Sequence, residues 1–240
     1  MDIKASRLKS SAFSLNAIHK GAAIMRHAIN KTDKNTLKEY WEEYFPTHFI
    51  YVFFAFNSLY NVDWEQSCKT GELEGEEYMI ELRDEPTKHE MYLDFCFQNS
   101  EFVNLYKGLF IKMILGGNTK EEIDKILSTI KPDSLPKSRL SRKKYINDFI
   151  NRIDDLIYRG KFDKDSVSFI LKFLYKVRCN VFHGSKTVED MQDEGQQNRF
   201  EVYASIIIAI NQMVFSYLDY LCMEKEAFID SLDDVFDSLI

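Results

Sequence analysis

The sequence predicts an all-α protein, and three observations lead to this prediction. Apolar residues recur at intervals of three and four positions along most of the 240-residue chain. Only nine glycines and four prolines interrupt it, too few for a turn-rich β fold. Hydrophobic residues make up 45% and aromatic residues 14% of the chain, which excludes a disordered chain and indicates a large aromatic core.

Charge and cysteine content narrow the classes of function. The net charge of −7 is the opposite of what a protein that coats a long nucleic acid would show, so any RNA contact is expected to be local. The four cysteines are far apart, with no C-x-x-C pair and no histidine cluster, which predicts neither a zinc site nor a disulfide framework and a reducing, cytoplasmic setting. No glycine-rich phosphate loop or paired-carboxylate metal motif is found, so no metal and no cofactor is expected. The longest apolar run, residues 49–56, is too short for a membrane span.

Residues 1–46 are predicted to form an amino-terminal helical extension. Apolar residues from Leu8 to Ile29 indicate an amphipathic helix over about 5–30. Asp33 can begin a second helix, which ends or bends near Pro46. The extension could pack on the rest of the chain, which is favoured, or bind another subunit as an arm.

Residues 47–222 are predicted to form the main helical domain, with an insertion around 61–100. Its first helix, Thr47–Tyr60, is apolar on nearly every face and is expected to be central. Residues 61–77 contain two glycines and six acidic residues and are predicted to be a loop. After Pro86, a helix is expected from residue 87 to residue 97.

The next segments carry clear start and stop signals. A helix over 101–115 is predicted to end at a pair of glycines. Thr119 and Glu122 have the spacing of a capping box for a short helix that ends near residue 130. Two prolines then mark a linker at 131–136.

A helix over about 138–158 follows, and its first turns are strongly basic. The inward residues are predicted to be Tyr145, Ile146, Phe149, Ile150, Ile153 and Ile157. The basic residues are Lys137, Arg139, Arg142, Lys143 and Lys144. They could bind the phosphates of an RNA or form a solvated face, the more common use of such residues. Cations at a helix amino terminus oppose the macrodipole, which favours some compensating use.

The helix that begins at Asp165 or Ser166 carries the chemistry. Its buried stripe is predicted to be Val167, Ile170, Leu171, Leu174, Val177 and Val181. Arg178 can hold a phosphate with two hydrogen bonds, and His183 can move a proton near neutral pH, a combination that suits RNA cleavage. The alternative is structural, with His183 as a hydrogen-bonded histidine near a helix end and Arg178 as a buried ion-pair partner. Five residues turn an ideal helix by about 140°, so the two side chains converge only if the last turn loosens or a second subunit supplies one of them.

Two further helices complete the chain. The polar residues 185–198 are predicted to be a loop, as a plain connection or as a lid. A helix over 199–222 points Tyr203, Ile206, Ile207, Ile210, Met213, Val214, Tyr217 and Leu221 inward, as core or dimer surface. Residues 223–240 are predicted to form an acidic amphipathic terminal helix that could dock on the domain, shield the basic residues or meet a partner. The remaining histidines, His19, His27, His48 and His89, are isolated and are interpreted as surface or core polar residues.

Two segments resemble a known family. Residues 175–184 have the pattern Tyr-x-Val-Arg-x-Asn-Val-Phe-His-Gly, with Lys186 just after, and resemble the R-x4-6-H motif of HEPN (higher eukaryotes and prokaryotes nucleotide-binding) domains. Residues 53–60, Phe-Phe-Ala-Phe-Asn-Ser-Leu-Tyr, are similar to the aromatic helix that opens many bacterial members. The two segments have the family's order, and the likeness covers roughly 47–222.

The resemblance implies a HEPN-like helical bundle that forms a homodimer and cleaves RNA without a metal, in a bacterial toxin or antiphage setting where an antitoxin or other regulatory protein restrains it. Arg178 and His183 match the catalytic pair, and Asn180 matches an often-present polar residue. The predicted RNA contacts are Lys186, Arg139, Arg142, Lys143 and Lys144. Cys179 is a departure, because active members frequently have Asn, Asp or His there. This favours the alternative, a catalytically inactive HEPN module that binds RNA, a nucleotide or a protein.

Overall fold

The computed structural model describes residues 47–70, 84–130, 139–182 and 193–237. Within these ranges the chain forms nine α-helices and no β-strand, so the predicted all-α class is confirmed. The predicted amino-terminal helices of residues 1–46 and the linker at 131–136 lie outside the described residues. The helices are α1 (Thr47–Tyr60), α2 (Trp64–Thr70), α3 (Glu85–Phe97), α4 (Ser100–Leu115), α5 (Lys120–Ser128), α6 (Arg139–Arg159), α7 (Lys164–Phe182), α8 (Glu194–Cys222) and α9 (Lys225–Asp237).

Helix α8 is the centre of the fold. It is 29 residues long, and α1 and α4 pack along it, with α3, α5 and α9 in further contact. Its apolar stripe is fully buried, as the three- and four-residue spacing predicts. The buried residues include Ile206, Ile207, Ile210, Met213 and Val214.

Three buried hydrogen bonds fix α8 against its neighbours at one level. The Tyr92 hydroxyl of α3 donates to the Ile210 carbonyl at 2.6 Å, and the Tyr106 hydroxyl of α4 donates to the Ala209 carbonyl at 2.7 Å. On the other side, Asn211 Nδ2 donates to the Val52 carbonyl of α1 at 3.0 Å. These bonds join α1, α3 and α4 to the middle of α8.

Helices α6 and α7 pack against each other in antiparallel directions. Phe149 and Phe173 stack with ring centroids 3.9 Å apart, and both lie near Tyr203 of α8. Earlier residues of α6 meet later residues of α7, because Tyr145 contacts Phe173 whereas Arg152 Nη1 donates to Ser166 Oγ at 3.3 Å. The first turns of α6 therefore lie beside the last turns of α7.

Several predicted boundaries are confirmed in detail. Helix α1 spans Thr47–Tyr60 as predicted. The capping box is complete, since the Thr119 amide donates to Glu122 Oε2 at 2.7 Å and the Glu122 amide donates to Thr119 Oγ1 at 3.2 Å. Helix α4 ends at Gly116, whose φ of 52° is in the left-handed region that glycine tolerates.

Two predictions near α2 and α3 were wrong. The segment 61–77 was expected to be a loop, but it contains α2, whose Trp64 is 2% exposed. The Trp64 indole N–H donates to the Leu59 carbonyl at 2.8 Å and its ring stacks on Phe95, so tertiary contacts outweigh the local composition. Helix α3 begins at Glu85, before the predicted residue 87, because a proline in the first turn has no intrahelical N–H bond to lose.

The start and end of α8 also differ from the prediction. The helix begins at Glu194, so residues 185–198 are not all loop. Asp193 caps it by accepting a hydrogen bond from the amide of residue 196. Arg199 is buried, and its Nη1 donates to the Thr129 carbonyl at 3.1 Å. Leu221, predicted to point inward, is 36% exposed. It lies at the last turn of α8, next to its end.

Helix α9 docks on its own domain, one of the alternatives that the sequence left open. Phe228 is fully buried, and Lys225 pairs with Glu101 of α4 at 2.6 Å. Helix α3, which falls in the predicted insertion at 61–100, contributes the buried residues Tyr92 and Leu93 to the core.

Within the described ranges, α8 is the one helix that is long and apolar enough to cross a membrane by length and composition. In this fold 67% of its most apolar stretch is buried by the other helices, as in the core helix of a globular protein.

Candidate active site

Arg178 lies in the last turns of α7, where its guanidinium is half-buried. The guanidinium carbon is 5.8 Å from the ring centroid of Tyr175, which lies one turn earlier on the same helix. This distance allows a cation–π contact. Arg178 thus lies close to the Tyr175 ring on one side, and part of its surface stays accessible to solvent.

His89 of α3 packs against α7, the helix that carries Arg178. It is 1% exposed and is enclosed by three aromatic rings, with centroids at 4.4 Å (Tyr60), 5.2 Å (Phe56) and 5.4 Å (Tyr175). Its Nε2 atom is buried without a hydrogen-bond partner. Of the two alternatives for this isolated histidine, the structure selects the core polar residue.

The charge state of His89 follows from this burial. Burial lowers its pKa to about 4, and the charges of Lys172 and Arg178 act in the same direction. Two carboxylates, Glu85 and Glu90, oppose the shift but do not cancel it. His89 is therefore neutral at pH 7.

Glu85 lies between two tyrosines from different helices. Burial raises the pKa of Tyr60 above its usual range, and the negative charge of Glu85 and a hydrogen bond to it raise it further. Burial and a hydrogen bond to Glu85 do the same for Tyr175. The Oε2 atom of Glu85 is itself buried without a partner. We call Tyr60, Glu85, His89 and Tyr175 the tyrosine–glutamate cluster.

This cluster joins the two segments that resemble the HEPN family. Tyr60 is the last residue of the upstream segment on α1, and Tyr175 is the first residue of the motif on α7. The charge of Arg178 acts on the cluster, since it lowers the pKa of both Tyr60 and His89. The segments are thus neighbours in space although more than a hundred residues separate them.

Sequence reasoning missed Glu85 and His89 as members of this site. A signal for His89 was present, because it precedes Tyr92, Leu93 and Cys96 at three- and four-residue spacings on the buried face of α3. Glu85 lies one turn before His89 on the same helix. The approach of this face to α7 is a tertiary contact that no local pattern predicts.

Asn180 and Cys179 leave α7 in different directions from Arg178. Two residues along a helix turn it by about 200°, so Asn180 and Arg178 are directed to nearly opposite sides. The Cys179 side chain lies against Tyr175, one turn earlier, and a hydrogen bond with it contributes to the raised pKa of that tyrosine. The predicted site residues Arg178 and Asn180 are therefore close in sequence but do not face a common point.

The basic first turns of α6 adjoin the end of α7 because the two helices are antiparallel. Lys143 and Lys144 are exposed, and Arg142 is half-buried with a partnerless Nε. Lys176 of α7 was not among the predicted residues, yet its Nζ lies 4.1 Å from the ring centroid of Tyr145 on α6. The basic residues of α6 thus extend towards α7.

Three predicted residues cannot be placed in this geometry. His183 and Lys186 lie outside the described residues, and so does the side chain of Arg139. The prediction that Arg178 acts together with His183 stays a prediction.

A separate cavity of about 380 Å³ opens at the junction of α2 and α3. It is lined by Val62, Asp63, Trp64, Glu65, Met91, Asp94, Phe95 and Gln98. None of these is a predicted site residue. Its position towards the carboxyl end of α3 separates it from Glu85, the first residue of that helix.

Comparison of the chain with known protein families, with curated proteins and with solved structures finds no match in any of the three. The likeness to HEPN domains therefore depends on the two sequence segments themselves. Their meeting around Glu85 and His89, beside Arg178, is the geometric feature on which a functional proposal can be based.

Proposed function

We propose that this chain is a metal-independent endoribonuclease with a HEPN-like helical bundle. The observation that carries the proposal is the tyrosine–glutamate cluster. Tyr60 and Tyr175, from the two segments that resemble the family, meet there beside the guanidinium of Arg178. An isolated Arg-x4-His spacing often arises by chance. A chance match gives no reason for the second segment to lie close to the first in the folded chain.

In the proposed reaction the ribose 2′-oxygen attacks the adjacent phosphorus, and the bond from phosphorus to the 5′-oxygen breaks. One group takes the proton from the 2′-hydroxyl and another gives a proton to the leaving 5′-oxygen, with His183 in one or both roles. Arg178 stabilises the negative charge that builds on the phosphorane, and Asn180 holds the phosphate or His183. The products are a 2′,3′-cyclic phosphate and a 5′-hydroxyl.

One imidazole does not easily perform both proton transfers, so a homodimer that contributes two copies of His183 fits the mechanism. His89 does not take this role, because it is 1% exposed and neutral within its aromatic enclosure. The direction of Asn180, nearly opposite to Arg178 on α7, also suits a site completed by a second subunit.

Local basic groups would bind the RNA. Arg142, Lys143 and Lys144 adjoin the end of α7, and Lys186 and Arg139 are proposed to extend the same surface. The net charge of −7 limits binding to this region and makes it sensitive to salt. A nuclease of this kind harms its own cell, which fits a cytoplasmic toxin or antiphage protein restrained by an antitoxin or another regulatory partner.

The test is to incubate the purified protein with total RNA and with tRNA in EDTA and to analyse the ends of the products. Wild type is compared with His183→Ala and Arg178→Ala. Lys172→Ala is the matched control, since Lys172 is an exposed cation on the same helix that pairs with Glu90 at 2.7 Å. We expect cleavage with cyclic phosphate ends in wild type and Lys172→Ala only. Cleavage that survives both site substitutions would refute the proposed mechanism.

A second candidate is a catalytically inactive HEPN module that binds RNA, a nucleotide or a protein. The Cys179 departure and the acidic net charge favour it. It predicts a salt-sensitive RNA complex that His183→Ala does not change and no cleavage by any variant. The regulatory half of a toxin pair would instead show tight binding to a protein partner and no RNA affinity.

A further inference from the structure

We infer that Glu85 is a positioning residue for Arg178, which it orients through the hydroxyl and ring of Tyr175. The inference rests on the proposed function, because it requires that Arg178 contacts an RNA phosphate. It assigns a role to a carboxylate that lies outside the R-x4-6-H motif and on a different helix.

The antiparallel packing of α3 and α7 brings the two residues to the same end of the helix pair. Asp94 and Lys164 pair at one end, and Glu90 accepts a hydrogen bond from Lys172 at 2.7 Å further along. Continuing in the same direction, His89 contacts Tyr175, so Glu85 comes next to the last turns of α7.

The dipole of α3 favours a negative charge at this end. Glu85 is the first residue of α3, where the amides of the first turn favour an anion. The start of α3 therefore stabilises a carboxylate beside this part of α7.

Tyr175 provides the physical connection. Its ring lies 5.4 Å from that of His89, which is one turn after Glu85 on α3, and 5.8 Å from the guanidinium carbon of Arg178. The Glu85 carboxylate lies close enough to the Tyr175 hydroxyl to raise its pKa. Tyr60, whose ring lies 4.4 Å from that of His89 and whose pKa the charge of Glu85 also raises, connects the arrangement to α1. Glu85 Oε2 has no partner, so the carboxylate keeps an acceptor position for one more donor. Its neighbour His89 is neutral and leaves the negative charge of Glu85 uncompensated on that side.

The expected effect of Glu85→Gln on RNA affinity is opposite to the effect expected from charge alone. Glu85→Gln removes a negative charge close to the bound phosphates, which by simple electrostatics would increase RNA affinity. If the carboxylate instead fixes Tyr175 and hence Arg178, the affinity falls. Tyr175→Phe keeps the ring and changes no charge, and it is expected to lower the affinity in the same way.

The experiment measures binding of a labelled single-stranded RNA by fluorescence anisotropy over a range of salt concentrations. All variants carry His183→Ala so that the RNA stays intact. Arg178→Ala is expected to lower the affinity and to reduce the salt slope by about 0.7, the value for one phosphate contact. Glu85→Gln and Tyr175→Phe are each expected to lower the affinity by about threefold to tenfold, and neither has a further effect when Arg178 is already alanine. Glu90→Gln, on the same helix, is the control and is expected not to lower it.

Higher affinity of Glu85→Gln, or an equal loss with and without Arg178, would overturn the inference. A purely structural role would appear as that equal loss together with a lower melting temperature. If Glu85→Gln melts early, Tyr175→Phe decides the outcome alone. Unchanged binding in Arg178→Ala would refute the inference while leaving an RNA-binding protein, whereas absence of RNA binding by the parent protein would refute the proposed function as well.

Discussion

Asp154→Asn is expected to stabilise the protein at neutral pH and to lose this advantage in acid. Asp154 of α6 faces Asp124 of α5, and the Oδ1 atoms of both are buried without partners. Burial raises the pKa of Asp154 to about 6, and the charge of Asp124 and a hydrogen bond to it contribute further. The charge of Asp155 acts in the same direction, and that of Arg159 opposes it.

The sign follows from proton linkage. An unfolded aspartate has a pKa of about 3.9, so the native state holds this proton more tightly. The stability that the proton confers is complete below about pH 4 and is lost as the pH rises through about 6. The full shift is equivalent to about 3 kcal/mol, but Asp154 is half-exposed and solvent screening reduces the expected effect to about 1 kcal/mol. Asparagine resembles the protonated acid and carries no charge to repel Asp124.

The assay is urea unfolding at about pH 4.5 and about pH 7.5, which are chosen to lie below and above the raised pKa. Asp155→Asn is the control, because Asp155 pairs with an exposed Arg159 at 2.9 Å and is expected to change the unfolding free energy little. A gain for Asp154→Asn that is equal at both pH values, or no gain at the higher one, would refute the reasoning.

Three further predictions concern the stability of the fold. Tyr106→Phe removes the buried hydroxyl of α4 that donates to the Ala209 carbonyl of α8, and it is expected to cost about 1 kcal/mol in urea unfolding. Tyr220→Phe, whose hydroxyl bond to Glu101 is exposed, is expected to cost less, and an equal cost would contradict this. Gly116→Ala, at the end of α4, is expected to destabilise the protein by about 1 kcal/mol because of its φ of 52°. Gly108→Ala, within α4 and with no atom within 4 Å of the added Cβ, is expected to stabilise it by up to about 1 kcal/mol. Melting temperatures that shift in the same direction for both variants would contradict this. Phe149→Ala removes a ring stacked at 3.9 Å and is expected to cost about 3 to 5 kcal/mol, and a loss below about 1 kcal/mol would show that the site collapses to fill the space.

Periodicity and capping signals predicted the helices well where the determinants are local. The bounds of α1 and the capping box of α5 needed only neighbouring residues, and the structure has both as predicted. Helix α2 was missed because acidic residues and glycines outweighed a single tryptophan, whose burial depends on Phe95 of another helix. The early start of α8 was missed because its polar first turn is stabilised by Arg199 and Thr129, a contact between distant residues.

The candidate site was likewise predictable only for residues that lie close together in the sequence. The motif placed Arg178 and Asn180 on one helix, and the basic residues of α6 were recognised by composition. Glu85, His89 and Lys176 belong to the neighbourhood through the packing of α3, α6 and α7, which a sequence pattern does not specify. Physical interpretation of a motif therefore finds the residues within the motif and misses those that support it from other helices.

The three hydrogen bonds at residues 209–211 of α8 have a consequence for how this fold can change during evolution. A single-residue insertion between this level and the start of the helix would turn one half by about 100° relative to the other. Either the bonds from α8 to Tyr92, Tyr106 and the Val52 carbonyl or the contacts of the first turns would then be lost, leaving buried polar groups unpaired. Homologues of this chain are thus expected to vary in the length of the loops between helices, whereas the length of α8 is expected to stay constant.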